Sequence, residues 1–406
     1  MKILHTADWH IGKKLHKQYL YRDFELFINW LVALIEREGI DVILISGDLF
    51  DLANPAAEAR KQYYRALARL RGLQCKIIIT GGNHDSPTML DAPREILEEL
   101  NVTIIGGLPE RVEDYLIPLK DEDGNTVAVV AAIPYLRDSD LRASNEDAVY
   151  ENRVEAIRKG IETIFTAAAK ACENLFPYIP AIAMGHLYAA GIEPSESERD
   201  IQIGNQAAFQ ANRFGEYFSY VALGHIHKPQ RVSAAVPTFY SGSPLALSFS
   251  ERQDEKRVLL LDTKNGFEPQ SISVPTFRRL LKIIGSLGSI KNKLGTLSAE
   301  GQLTNLIEVA MLEDNFDANL IAQLDELVTS FNVRGMEIVK HRATFKNRQQ
   351  ETGQLFTVNQ HLEDLKPQEV FAKLLEQHSY SEDVKDKVAQ AFSEITEQVQ
   401  NSTQPL

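Results

Sequence analysis

Four times between residues 42 and 227 an apolar run ends in glycine and then in a side chain able to hold a metal ion: DVILISGDLFD, CKIIITGGNHD, AIAMGHL and SYVALGHIH. The chain also opens on such a run, MKILHTADWHIG, where Asp8 and His10 stand two residues apart. Residues i and i+2 of an extended chain point the same way, so this pair can reach one ion. Taken alone, an Asp and a His near a strand end are a cap and a surface residue. The repetition argues otherwise. Continuous apolar strands belong to sheets covered on both faces, and residues 24–37 and 56–71 between them read as helices, with apolar residues three and four apart. The fold class this predicts is α/β.

Ligands at the C-terminal ends of neighbouring strands converge on one crevice. Collected, they are Asp8, His10, Asp48, Asn83, His186, His225 and His227. The set contains no thiolate, which disfavours a structural zinc site. Carboxylate, amide and imidazole together suit Mn²⁺, Fe or Zn²⁺ in an open catalytic site. Seven side chains exceed what one ion with room for water takes, and they suit two ions sharing a bridging carboxylate. Two such cations, about 3.5–4 Å apart, clamp a phosphodiester, activate water and neutralise charge developing on phosphorus. A histidine is a suitable acid for the leaving oxygen near neutral pH.

Composition sets the surroundings. A length of 406 residues suggests about two or three domains. The net charge of −13 argues against a general nucleic-acid coat, although bound cations can supply positive charge at a site. Local basic stretches exist: no acid occurs over residues 269–299, where Arg278, Arg279, Lys282, Lys291 and Lys293 lie, and Lys13, Lys14, Lys17 and Arg22 follow the first motif. Taken alone, each reads as a solvated face. Cys75 and Cys172 sit in apolar segments and read as reduced, packed thiols. With no signal-peptide pattern at the start and no apolar run long enough for a membrane helix, a cytoplasmic location is expected.

The series DWH, GDLFD, GNHD, GH and GHIH resembles the calcineurin-like metallophosphoesterase superfamily. HTADWHIGKKL, GGNHDSP, GHLYAAGIEPSESERDIQIG, YVALGHIHKPQ and YSGSPLALSFSE narrow the resemblance to its bacterial nuclease-subunit branch, densely as far as Glu251 and more thinly beyond. The resemblance implies an αββα sandwich and Mn²⁺ as the metal, with Mg²⁺ or another divalent cation possible. Asp8, His10 and His227 would hold one ion, Asn83, His186 and His225 the other, and Asp48 would bridge them. His84 would be the acid and Asp85 would orient it. Asp51 departs from archaeal and eukaryotic relatives, which carry a histidine there. Ala7 stands where serine is common.

The same resemblance implies double-strand exonuclease and single-strand or hairpin endonuclease activity on DNA, exercised with the SbcC ATPase in repair and recombination. It divides the chain into a nuclease domain at 1–275, an α+β capping domain at 276–343 that helps DNA approach, a polar linker at 344–365 and a helical SbcC-binding segment at 366–406. In that segment Phe371, Leu374 and Leu375 form an apolar stripe; docking back on its own domain is the alternative. Helices over residues 56–71 and 88–100, with stripes of Leu67 and Leu70 and of Leu90, Ile96, Leu97 and Leu100, are expected to build a homodimer, unless the stripes are simply core. The competing functions are a small-molecule phosphomonoesterase or cyclic-nucleotide phosphodiesterase with the same centre, and a non-catalytic repair scaffold. The cap and tail argue against the first, and the intact ligand set with His84 argues against the second.

Overall fold

Ile3 and Leu4 are neighbours on one strand, and each is buried in a different core. The alternation repeats next door. Val42 and Leu44 join Ile3, while Ile43 and Ile45 join Leu4; Ile78 goes with the first group, and Ile77 and Ile79 with the second. Period-two alternation of apolar residues on both faces makes a sheet that is dry on each side. Each fully buried Leu or Ile contributes about 1.5–3 kcal/mol. This computed structural model describes residues 1–141, 150–195, 198, 201 and 208–347, together with Phe371, Lys385, Val388 and Phe392.

The chain divides into two units, the first comprising Met1–Lys282, Ser298–Glu308 and Phe331–Lys340. It contains two six-stranded sheets. One runs, edge to edge, Gln270–Ser273, Arg257–Asp262, Lys2–Thr6, Val42–Ser46, Lys76–Thr80 and Val102–Ile105. Its last four strands are mutually parallel, and Arg257–Asp262 pairs antiparallel with Lys2–Thr6. The other sheet runs Gln230–Val232, Thr238–Tyr240, Tyr220–Gly224, Ala181–His186, Thr126–Ala132 and Leu116–Lys120. Its central strands are parallel too.

One core lies between the sheets and continues to the Tyr150–Leu175 helix through Ile161, Phe165 and Cys172; the other lies between the first sheet and the Tyr21–Glu38 and Ala57–Arg71 helices. The layers are therefore helix, sheet, sheet, helix, the αββα sandwich expected. The Tyr21–Glu38 helix buries Phe24, Phe27, Ile28, Leu31, Leu34 and Ile35, one face at helical spacing, and ends at Gly39, whose φ of 63° is the left-handed cap. Polar bonds also join the sheets: the Ser46 hydroxyl donates to the Ala222 carbonyl at 3.1 Å, and His5 Nδ1 lies 3.0 Å from the Tyr220 hydroxyl.

The second unit comprises Ile283–Leu297, Val309–Ser330 and His341–Leu406. Two of its described helices, Leu287–Gly295 and Ala318–Ser330, are amphipathic, and Ser286 caps the first by accepting from the Ser289 amide. The strands Leu280–Gly285, Asn305–Glu313 and Met336–Phe345 pair in that order, their residues divided between the two units. The third strand runs to Phe345, past residue 343 where the sequence suggests a linker. The tail at 366–406 lies outside the described residues except at the four positions named above, of which Phe371 and Phe392 stack with ring centroids 3.9 Å apart.

Three expectations need correction. The helix read over residues 88–100 is two short ones, Pro87–Asp91 and Arg94–Glu98, broken at Pro93 because proline lacks an amide to donate. Leu67, Leu70, Leu90 and Leu97 are buried in the chain's own core, so the stripes do not argue for a dimer; Ile96 alone of that set is strongly exposed. Arg278 is not a free basic residue either, since its guanidinium grips Asp23 with bonds of 2.8 and 2.9 Å. Cys75 and Cys172 are free and buried, and burial pushes each thiol up to about 11. No described helix is long and apolar enough to cross a membrane.

Candidate metal centre

The strands Lys2–Thr6, Val42–Ser46, Lys76–Thr80, Ala181–His186 and Tyr220–Gly224 all deliver their following residues to one end of the two sheets. The turns that do so are forced. Asp8, His10, Asp48 and His225 have φ of 54°, 44°, 48° and 99°, a region that side chains other than glycine seldom occupy and that clusters at functional sites. The glycines make room: a Cβ on Gly82 would land on the Asp48 carboxylate, and one on Gly224 would land on the Ser46 carbonyl.

All seven predicted ligands meet there. Asp8, His10 and His227 can each place one ligand atom within 4.8 Å of the others, as can Asp48, His186 and His225. A third grouping joins His10 and Asp48 with His84. Asn83 Oδ1 lies 2.9 Å from His186 Nε2 and 3.1 Å from His225 Nδ1. His10 Nε2 and His227 Nε2 face each other at 3.1 Å. Separations of about 3 Å are those of two ligands sharing one cation through bonds of about 2.1 Å. Asp8 Oδ2 and His225 Nε2 are buried with no hydrogen-bond partner. A buried polar atom without a partner is costly, and a cation would supply one.

Electrostatics agree. Burial pushes the Asp8 carboxyl up to about 7, against the pull of His186 and His227 and helped by the nearby Asp48. Burial acts the same way on Asp48, but His186, His10 and His84 hold that carboxyl well below the usual range. Burial lowers His10 to about 4 and holds His225 well below an ordinary imidazole. Burial pulls His186 and His227 down as well, but Asp48 lifts the first to about 9 and Glu251 lifts the second above an ordinary imidazole; a divalent cation would displace those protons, because it favours every ligand's deprotonated form. The residues fit a metal pair.

Several orienting groups escape sequence reading. Asp51 Oδ1 lies 3.2 Å from His10 Nδ1 and accepts from Lys13 Nζ at 3.1 Å. The Ser46 carbonyl lies 3.0 Å from His186 Nδ1. Glu198 accepts the His227 amide at 2.7 Å, and Glu251 lies 3.5 Å from His227 Nδ1. None of these stands at a regular spacing from its partner, so only the motif GDLFD, for Asp51, carries a signal. The Asp85 carboxylate accepts from the amides of Leu49, Phe50 and Gly82, and the Asp51 carbonyl lies 2.7 Å from His84 Nδ1. Asp85 thus ties two loops together next to His84, and Asp51 adds a contact to the His84 ring.

The family model described as calcineurin-like phosphoesterase matches residues 1–229, and one described as type 5 capsule protein repressor C-terminal domain matches residues 276–379. The chain belongs to the calcineurin-like phosphoesterase family, in its SbcD branch. A protein of this branch from Rhodobacter capsulatus, named as the SbcD component of the nuclease SbcCD, is 38% identical over 288 residues, covering 68% of this chain and 69% of its own. The protein of the same name from Escherichia coli K12 is 28% identical over 404 residues and covers 97% of both chains. That from Bacillus subtilis is 34% identical over 272 residues, covering 66% of this chain and 68% of its own. As a calcineurin-like phosphoesterase, the chain is a metal-dependent enzyme of phosphate-ester hydrolysis.

Proposed function

We propose that this chain is a Mn²⁺-dependent DNA nuclease, an exonuclease on double strands and an endonuclease on single strands and hairpins, working with the SbcC ATPase in repair and recombination. The observation that carries the reading is the convergence of Asp8, His10, Asp48, Asn83, His186, His225 and His227 on one buried point. In this reading Asp8, His10 and His227 hold one cation, Asn83, His186 and His225 the other, and Asp48 serves both. Two bound divalent cations supply Lewis acidity and positive charge to a phosphodiester.

The chain's own groups do the rest. His84 is the proton donor to the leaving oxygen: the Asp51 carbonyl accepts from Nδ1 at 2.7 Å, so the ring donates as an imidazolium, giving up the proton on Nε2. Its backbone amide donates to Asp48 Oδ1 at 2.9 Å, which ties the acid's backbone to the proposed bridging carboxylate. Asp85 ties together the two turns that carry them. The names of the Rhodobacter, Escherichia and Bacillus relatives support the nuclease activity and the partnership. The family resemblance, and not the buried stripes, supports reading the protein as a cytoplasmic homodimer.

Cleavage of hairpin and linear duplex DNA, with Mn²⁺ against EDTA and with and without SbcC and ATP, tests the proposal. Hairpin opening in Mn²⁺ and ATP-stimulated duplex degradation with SbcC are expected. Hydrolysis of phosphomonoesters or cyclic nucleotides without any DNA cleavage would overturn it.

A further inference from the structure

Behind His227 lies a buried ion pair that the reaction does not touch. Lys256 Nζ donates to the His227 carbonyl at 3.0 Å, to the Ser243 hydroxyl at 3.0 Å and to Glu251 Oε2 at 2.6 Å. Glu251 Oε1 lies 3.5 Å from His227 Nδ1 and accepts from the Ser248 hydroxyl at 3.2 Å, while Oε2 also accepts the Leu247 amide at 3.2 Å. Glu251 is 1% exposed and Lys256 8%. Charged side chains are almost never this buried unless paired, and a buried pair is weak as a stabiliser because desolvation cancels most of the attraction.

The pair holds one residue at both ends. Lys256 fixes the His227 main chain through its carbonyl, and Glu251 faces the ring nitrogen opposite Nε2, the atom that lies 3.1 Å from His10 Nε2. A carboxylate at Nδ1 keeps the proton there, presents Nε2 as the lone pair and raises its basicity. We infer that Glu251 and Lys256 form a positioning clamp that sets the tautomer and aim of His227, and with them the affinity of one of the two cation sites. This rests on the metal-centre reading above.

Both the wild-type chain and Glu251→Gln are titrated with Mn²⁺ alone, and bound metal is counted by equilibrium dialysis with mass spectrometry. Wild type taking up fewer than two Mn²⁺ refutes the metal-centre reading and not merely the clamp. With two sites in wild type, Glu251→Gln is expected to weaken one of them about 10- to 100-fold and leave the other unchanged. Glu251→Gln leaves Lys256 without its charge partner, so the fold itself can suffer. The double variant Glu251→Gln/Lys256→Met removes both charges and is expected to regain the melting temperature. If the clamp positions the ligand, the double variant stays weak for the one Mn²⁺ despite that recovery. Wild-type affinity at both sites in the double variant overturns the inference, because the pair would then be structural only. Uniform weakening of both sites in either folded variant overturns it equally.

Discussion

Asp8, His10, Asp48 and His225 sit in left-handed backbone, at about 1–3 kcal/mol each, with carboxylates and imidazoles crowded beside them. That crowding is what a cation relieves. Melting in Mn²⁺ should therefore exceed melting in EDTA, by about 2.7 kcal/mol in stability at 100 times the dissociation constant; equal melting temperatures would count against a bound ion. Asp48→Asn should weaken both Mn²⁺ sites. His84→Gln should retain two Mn²⁺ yet lose cleavage about 10²- to 10⁴-fold, the usual share of a general acid. Mass-spectrometric metal content beside the nuclease rate separates the two. The seven ligands are legible in the sequence because each follows an apolar run. Glu198 and Glu251 are not, because they meet His227 only through folding, and Asp51, which lies against His10, is marked only by its place in GDLFD.

At the scale of elements, Asp85 joins the turn after Val42–Ser46 to the turn after Lys76–Thr80, with both oxygens bonded to backbone amides. Asp85→Ala leaves three buried amides without an acceptor, each worth about 1–3 kcal/mol. A loss of several kcal/mol in chemical denaturation is expected, with Mn²⁺ affinity falling as the Asp48 and Asn83 turns separate. Unchanged stability would show that water replaces the carboxylate. The strands and the Tyr21–Glu38 helix were readable from periodicity, since burial on one or both faces writes itself into the spacing. The break at Pro93 was readable in principle, but the apolar spacing on either side masks it. Whether a stripe such as Leu67 and Leu70 faces a core or a partner is not a property of periodicity at all, since both burials favour the same residues.

On the scale of the whole molecule, every proposed ligand precedes Lys228, so removing residues 366–406 should leave Mn²⁺ binding and basal phosphodiesterase activity intact. It should abolish ATP-stimulated duplex cleavage, because tethering supplies effective concentration. Wild-type retention of SbcC by the truncated chain in a pull-down would sink this assignment of the tail. The αββα arrangement could be expected from a family resemblance, whereas the antiparallel partner of the first strand could not, because no local pattern marks which remote run pairs with Lys2–Thr6. That partner is Arg257–Asp262. A ribosome adding about 5–20 residues each second makes the opening residues well before it makes their neighbour. For some tens of seconds the nascent chain carries the first half of its metal-binding groups with one edge of their strand still open. On the proposed assignment the metal site cannot be complete before His227 is made, when more than half of the 406 residues are already joined.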